Sequence, residues 1–300
     1  MSRLSANLLL LLAGAIWGMG FVAQQTAMEN LGPFGFIALR FFVASIVLLP
    51  FVWRECKRPK QPLPDLLPVH FLQFAMIGLC LFTGMAAQQV GLLTITVTSS
   101  GFLTGLYVVF TPFLAVLLFR QWPHPVIWPA TALAMFGIFL LSGGDLSALQ
   151  RGDFLTVFSA ACWALQVVLI GRYVSQTNRP LTLSLAQFMV TCALAAIAAV
   201  LFETMSIAAI KSAAFEILYT GIFATGVAFS LQVIGQRYTT APQAAIFLSS
   251  ESLFAALFGA VVLGERIGLV GLTGCALIFI AMLLVEVLPE FQRHKSVKES

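Results

Sequence analysis

Inside long apolar runs of this chain, polar and aromatic side chains recur at helical spacing. Ser100, Thr104, Tyr107 and Thr111 fall at i, i+4, i+7 and i+11, on one helical face. Thr240, Ala244, Phe247 and Glu251 repeat that spacing, and Thr225, Phe229, Gln232 and Gln236 form a further stripe. Trp17, Phe21 and Gln24 share a face, as do Ser159, Trp163 and Gln166, while Thr83 and Gln88 are spaced less regularly. Hydroxyls, amides and aromatic rings in this pattern suit a cavity that hydrogen-bonds the polar part of a small molecule and packs its apolar part. The candidate binding residues are Trp17, Phe21, Gln24, Gln88, Thr104, Tyr107, Trp163, Gln166, Phe229, Gln232 and Phe247. The competing reading is hydrogen bonding between neighbouring helices. Trp17 and Trp163 also fit an interfacial aromatic belt, although both lie ten or more residues into their runs.

Two ionisable residues stand out. Glu251 is nine positions past Pro242, which at 1.5 Å per residue places it about 14 Å deep. A carboxyl near the middle of a membrane is a candidate to take up and release a proton during a transport cycle, or a structural tie between helices. Arg40 lies roughly 9 Å from the end of its run. It fits a snorkelling or ion-paired structural arginine, or an anchor for a substrate carboxylate. Glu29 lies beyond the end of its run and carries no expectation.

Other chemistry is poorly provided for. The sequence has no Gly-x-x-x-x-Gly-Lys-Ser/Thr phosphate loop and no His-Glu-x-x-His motif. His70, His124 and His294 fall at run ends or in the tail, so neither a metal nor a cofactor is expected. Glu251 is the one carboxylate deep within a run, which leaves acid/base catalysis without a pair. The cysteines are odd in number, Cys56, Cys80, Cys162, Cys192 and Cys275, with no Cys-x-x-Cys spacing. A net charge of +4 spread over short loops gives no argument for nucleic acid.

The elements that must position these residues follow from composition. Hydrophobic residues make up 60% of the 300 and charged residues 9%, with a mean hydropathy of +0.97. That is too little charge to cover a water-facing surface. Spanning helices of roughly 20 residues account for such a chain. Apolar runs predict them over 5–27, 34–53, 69–91, 97–119, 125–142, 154–173, 182–202, 215–235, 242–263 and 267–287. Pro33, Pro125, Pro180 and Pro242 lie at or near starts, whereas interior Pro112 should kink its helix or leave carbonyls free. The first run has features of a signal peptide, but it continues through Trp17 to Ala23 and reads as the first span.

Lys and Arg placement orients the chain. With the N-terminus inside, twelve basic residues, among them Arg3, Arg54, Arg120, Arg172 and Arg237, face inward, against Arg151, Lys211 and Arg266 outside. Both termini are then cytoplasmic. The halves also repeat. Ala15-Ile16-Trp17-Gly18 returns as Ala161-Cys162-Trp163-Ala164, Thr83-Gly84 as Thr225-Gly226, and Phe113-Leu114-Ala115 as Leu253-Phe254-Ala255, at offsets of 146, 142 and 140. Five spans per half is an odd number, so the repeats are inverted, an all-α plan shared by many secondary transporters. The expected division is 1–145, 146–288 and a cytoplasmic tail over 289–300. Gly14/Gly18, Gly101/Gly105 and Gly264/Gly268 are spaced for close helix packing.

Several segments, in this order, carry a resemblance. They are Ala15-Ile16-Trp17-Gly18, Leu39-Arg40-Phe41, Thr111-Pro112-Phe113, Gly143-Gly144-Asp145 with Gly152-Asp153, and Leu263-Gly264-Glu265-Arg266. The chain resembles the EamA family of the drug/metabolite transporter superfamily over nearly its whole length. The resemblance implies two five-helix repeats with helices 5 and 10 peripheral. It also implies a gradient-driven exporter, often of amino acids and other small metabolites, in a bacterial inner membrane. Two departures are visible: Ser252 stands where many members have proline, and Phe119-Arg120-Gln121 shortens the first-half counterpart of Gly264-Glu265-Arg266.

The expectation is a secondary exporter of small amphipathic metabolites, with amino acids foremost and no enzymatic activity. Its partners would be that small molecule, membrane lipid and, through Glu251, a proton. A passive facilitator or lipid carrier shares the architecture, and a membrane-embedded enzyme is the remote rival. Oligomeric state is not legible.

Overall fold

A computed structural model describes residues 1–57, 65–95, 97–141, 150–262 and 268–298. Every regular element among them is helical. Eight helices are long and apolar enough to cross a membrane: Arg3–Ala27, Pro33–Lys57, Pro68–Gly91, Ser100–Phe119, Arg151–Thr177, Pro180–Phe202, Ala214–Gln236 and Ala241–Val262. Two further helices with shorter apolar stretches, Ile127–Leu141 and Leu269–Lys298, complete ten spans among the described residues, numbered 1 to 10 here in chain order. The last helix continues through the segment expected to be a separate tail. Leu117, Val200, Phe202 and Leu269 are among many large apolar side chains left on the outer surface, as lipid contact requires.

Helix ends follow local chemistry. Pro33, Pro68 and Pro180 open their helices, where a missing N–H costs nothing. Asp153 accepts from Gln150 N at 2.6 Å and so caps the start of span 6. Spans 4 and 6 end at Arg120 and Asn178, both in the left-handed region with φ of 52° and 56°.

The contacts between spans show the two-fold relation directly. Equating spans 1–5 with 6–10, the pairs 2·7, 4·9 and 5·10 are self-matched. The contacts 3·6, 4·6 and 3·7 are answered by 8·1, 9·1 and 8·2. One core, containing Phe41, Leu81, Trp163, Phe188, Phe229 and Ile246, joins both halves. The chain is therefore an all-α polytopic membrane protein of two inverted five-helix repeats. Spans 5 and 10 pack mainly on each other, with Gly137 so close to Gly274 that a Cβ on Gly137 would stand 2.7 Å from Gly274 O.

Three of the expected helices are interrupted. Span 4 breaks at Gly105-Leu106 into Val97–Thr104 and Tyr107–Phe119. Span 9 breaks at Ser249 into Ala241–Leu248 and Ser250–Val262. In span 8, Thr220–Val227 is a π-helix. At the first break the ladder tightens to i→i−3 bonds, Leu106 N to Leu103 O and Val108 N to Gly105 O. Just beyond it, Pro112 cannot donate to the Val108 carbonyl. Spans 4 and 9 cross there, and Ser252 Oγ donates to Gly101 O at 3.0 Å. The residue that departs from the family pattern thus bonds one repeat to the other, which proline could not do.

Of the paired glycines, Gly14 and Gly18 seat span 1 against span 9. A Cβ on Gly14 would stand 2.3 Å from Ser250 Oγ, and one on Gly18 2.6 Å from Ala255 N. Gly105 is also tight, but Gly101 has only Ala255 Cβ at 3.7 Å, and Gly268 faces open space. Gly264, Gly143-Gly144-Asp145 and the Glu265-Arg266 motif lie outside the described residues.

Candidate functional site

Spans 1, 2, 3, 4, 6, 8 and 9 enclose one cavity between the repeats, with a void of about 500 Å³ counting its open side. Span 1 supplies Trp17, Gly20, Phe21 and Gln24, and span 2 supplies Arg40. Met85 and Gln88 come from span 3, and Thr104 and Tyr107 flank the break in span 4. Trp163 and Val167 of span 6, Ala224, Phe229 and Gln232 of span 8, and Leu248 and Glu251 beside the break in span 9 complete the wall.

The structure brings together Trp17, Phe21, Gln24, Arg40, Gln88, Thr104, Tyr107, Trp163, Phe229, Gln232 and Glu251. Gln166 and Phe247 are corrected. Gln166 is fully buried one layer behind the wall, accepting from Gln232 Nε2 and donating to Gln187 Oε1, both at 3.1 Å. Phe247 is buried in the core instead of lining the void. Gly20, Met85, Val167, Ala224 and Leu248 were missed. Gly20, Val167 and Leu248 sit three or four residues from identified lining positions, so spacing pointed at them, but apolar types look the same against lipid, core or cavity.

The aromatic part is organised around Phe229. Its ring meets Trp17 at 4.8 Å and stacks on Trp163 at 5.7 Å, with 19° between planes. Phe41 and Phe188 approach the same ring at 6.3 and 6.1 Å. Trp17 and Trp163 are repeat equivalents, as are Phe41 and Phe188 by the offset relating Pro33 to Pro180. Phe229 thus lies where the two repeats meet, while its own equivalent is the small Ala87. Trp17 Nε1 donates to Ala224 O at 2.7 Å, in the π-helical stretch of span 8, so this tryptophan is pinned to a neighbouring span. Trp163 is 8% exposed and its Nε1 has no hydrogen-bond partner. Neither behaves as a belt residue.

The polar part contains both kinds of contact foreseen. Gln88 Nε2 to Thr104 Oγ1 at 2.7 Å ties span 3 to span 4, and Gln236 Nε2 to Val167 O at 2.8 Å ties span 8 to span 6. Thr111 turns back onto Tyr107 O. Those bonds are interhelical or local. By contrast, Tyr107 Oη, Gln232 Oε1 and Glu251 Oε1 are buried in the wall without a partner of good geometry, although the tyrosine hydroxyl lies beside the glutamate carboxyl.

Arg40 is 2% exposed and does not snorkel to an interface. Its Nε donates to Thr225 Oγ1 at 2.9 Å and its Nη1 to Gln24 Oε1 at 2.9 Å, with Met85 Sδ at 3.7 Å. The rings of Phe36 and Phe41 lie 5.8 and 5.7 Å from Cζ. All of these partners are neutral, so Arg40 forms no ion pair with a described residue. The equivalent position in the second repeat is Gln187, and that of Glu251 is Thr111, so each repeat contributes one charge that its counterpart lacks. No group of three or more His, Cys, Asp or Glu residues suited to a metal occurs among the described residues.

A bundle of inverted repeats around a polar and aromatic cavity is the architecture of membrane carriers. Residues 4–143 and 150–287 each match the model of the EamA-like transporter family, and the chain belongs to that family. It is 33% identical to an uncharacterized transporter of Archaeoglobus fulgidus, over 94% of this chain and 86% of that one. It is 27% identical to the uncharacterized transporter YwfM of Bacillus subtilis, over 96% and 95%. A WAT1-related chloroplastic protein of Arabidopsis thaliana, At3g02690, is 23% identical over 90% of this chain and 66% of its own. A crystal structure 20% identical in sequence superposes with a TM-score of 0.77, covering 96% of this chain and 98% of that one, a likeness of fold. Family membership supports a transporter role for this integral membrane protein and points away from an enzyme.

Proposed function

We propose that the chain is a secondary active transporter that exports small amphipathic metabolites, amino acids foremost, by alternating access around the cavity between its repeats. The observation that carries this reading is the cavity wall, where buried polar atoms of Tyr107, Trp163, Gln232 and Glu251 share one void with the faces of Trp17, Trp163 and Phe229. A solute that is polar at one end and apolar at the other matches such a wall. The breaks in spans 4 and 9 and the π-helical stretch of span 8 border the same void, giving the repeats places to flex as one moves against the other. Glu251 carries the coupling proton in this reading, and both termini face the cytoplasm of a bacterial inner membrane.

The test is counterflow in proteoliposomes. Purified chain is reconstituted with unlabelled amino acids inside, and labelled amino acids or a nucleoside are offered outside. Accumulation of labelled amino acids above empty liposomes supports the reading. Accumulation of the nucleoside alone overturns the substrate class and keeps the carrier. Folded protein that moves nothing overturns the carrier reading.

A further inference from the structure

The void lies between two packed trios of spans. Spans 3 and 4 pack on span 6, and spans 8 and 9 pack on span 1. The trios meet where spans 4 and 9 cross, with Ser252 Oγ donating to Gly101 O at 3.0 Å. They meet again on either side of the void, and these two meetings are built differently. Towards the end that carries Arg3, span 8 reaches span 6, where Gln236 Nε2 donates to Val167 O at 2.8 Å. Gln236 is 2% exposed, and span 9 closes on the same stretch of span 6, since a Cβ on Gly171 would stand 3.3 Å from Ala241 Cβ. Towards the opposite end, span 1 reaches spans 3 and 4, where Phe21, Leu92, Val97 and Ala255 form one buried apolar cluster. By the repeat offsets of 146 and 142, Val167 is equivalent to Phe21 and Gln236 to Thr94. Thr94 Oγ1 turns back to Gly91 O within its own turn, at 3.2 Å. One closure therefore contains a directional hydrogen bond, and the other rests on apolar burial.

From this pairing we infer that Gln236 latches the closure at the Arg3 end and that Phe21, Leu92 and Val97 form the opposing closure, the two competing across the crossing of spans 4 and 9. The inference rests on the carrier reading above and adds to it the groups that hold each side of the cavity shut. Because the trios share one crossing, weakening one closure favours opening at that end and closing at the other. A buried hydrogen bond between neutral groups corresponds to about fivefold in such an equilibrium.

Chemical accessibility of one reporter tests it. Leu248 lines the void and is 1% exposed. Leu248→Cys is placed in a chain whose native cysteines have been replaced, and a membrane-impermeant maleimide is applied to right-side-out and inside-out membrane vesicles. The parent should label from both faces. Adding Gln236→Ala should raise labelling from the Arg3 side about fivefold and lower it from the opposite side, and Leu92→Ala should do the reverse. Gln236→Glu separates the latch from packing. At pH 8 its carboxylate has no proton to donate, so the Arg3 side should open. At pH 5 the protonated carboxyl donates in the amide's place, and rates should return towards those of the parent at that pH. Gln236 variants that leave both rates unchanged, or raise both together, overturn the latch and leave the carrier reading standing. A parent reporter that labels from one face alone under every solute gradient, or from neither, overturns both.

Discussion

Glu55 and Glu203 cap each other's helices. Glu55, near the end of span 2, accepts from Leu181 N at 3.0 Å and from Thr182 N and Oγ1 at 2.8 and 2.6 Å, at the start of span 7. Glu203, just past the end of span 7, accepts from Phe34 N and Gly35 N, both at 2.8 Å, at the start of span 2. Each carboxylate meets unsatisfied N–H groups and the positive end of a helix dipole. Antiparallel spans 2 and 7 are therefore fastened at both ends, and this pair forms a fixed axis with Arg40 about two turns in from the Glu203 clasp.

Replacing either glutamate by glutamine removes the charge and one acceptor at the clasp. Glu55→Gln and Glu203→Gln should each cost about 1–2 kcal/mol, with effects that add because the sites lie at opposite ends of the pair. Thermal unfolding in detergent reads this out. Unchanged melting in both variants would mean that the clasps do not hold the axis.

Glycine substitutions should separate by packing. A Cβ on Gly18 would stand 2.5 Å from Phe254 Cβ and 2.6 Å from Ala255 N, and backbone cannot swing aside. Gly18→Ala should destabilise by about 1–3 kcal/mol. Gly101→Ala meets only Ala255 Cβ at 3.7 Å, and helix propensity should make it neutral or stabilising by up to about 1 kcal/mol. Melting temperatures of the two variants give the comparison, and a shift of the same sign in both would contradict the packing account.

Trp163 and Phe247 occupy equivalent-looking stripes in sequence but different places in space. Trp163→Ala should cut initial transport rates by about tenfold or more while folded protein survives, and Trp163→Phe should keep most of the rate. Phe247→Ala should lower stability by about 3 kcal/mol, with transport per folded molecule little changed. Rates normalised to the monodisperse fraction in size-exclusion chromatography distinguish these outcomes.

Glu251→Gln should uncouple. In the wild type, an imposed pH gradient should accelerate net flux. In the variant, flux should ignore the gradient while exchange of substrate for substrate continues, at reduced affinity. Pyranine-reported proton movement alongside labelled flux checks both halves. A variant that still responds to the gradient would reduce Glu251 to binding or structure.

Much of this fold could be read from residue order because the bilayer demands long apolar helices, and Pro33, Pro180 and Pro242 mark where three of them begin. The recurrence of Trp17 as Trp163 and Thr83 as Thr225 carried the inverted repeat. Helical spacing reports the angle at which a side chain leaves its helix, but not what stands opposite. Gln166 shares a stripe with Trp163 yet points into the amide layer of Gln232 and Gln187. The same limit hid the neutral surroundings of Arg40, since Thr225, Gln24 and Met85 come from three different spans. The breaks at Gly105-Leu106 and Ser249 depend on a crossing between halves, and the clasps of Glu55 and Glu203 join residues more than one hundred positions apart.

The most direct test of alternating access is chemical accessibility of the cavity from each side. With Cys56, Cys80, Cys162, Cys192 and Cys275 replaced by serine or alanine, Gln232→Cys is reconstituted and treated with a membrane-impermeant maleimide from one face at a time. The account predicts labelling from both faces, with the rate from one face rising as that from the other falls when the substrate gradient is reversed. Labelling confined to one face under every gradient would contradict it.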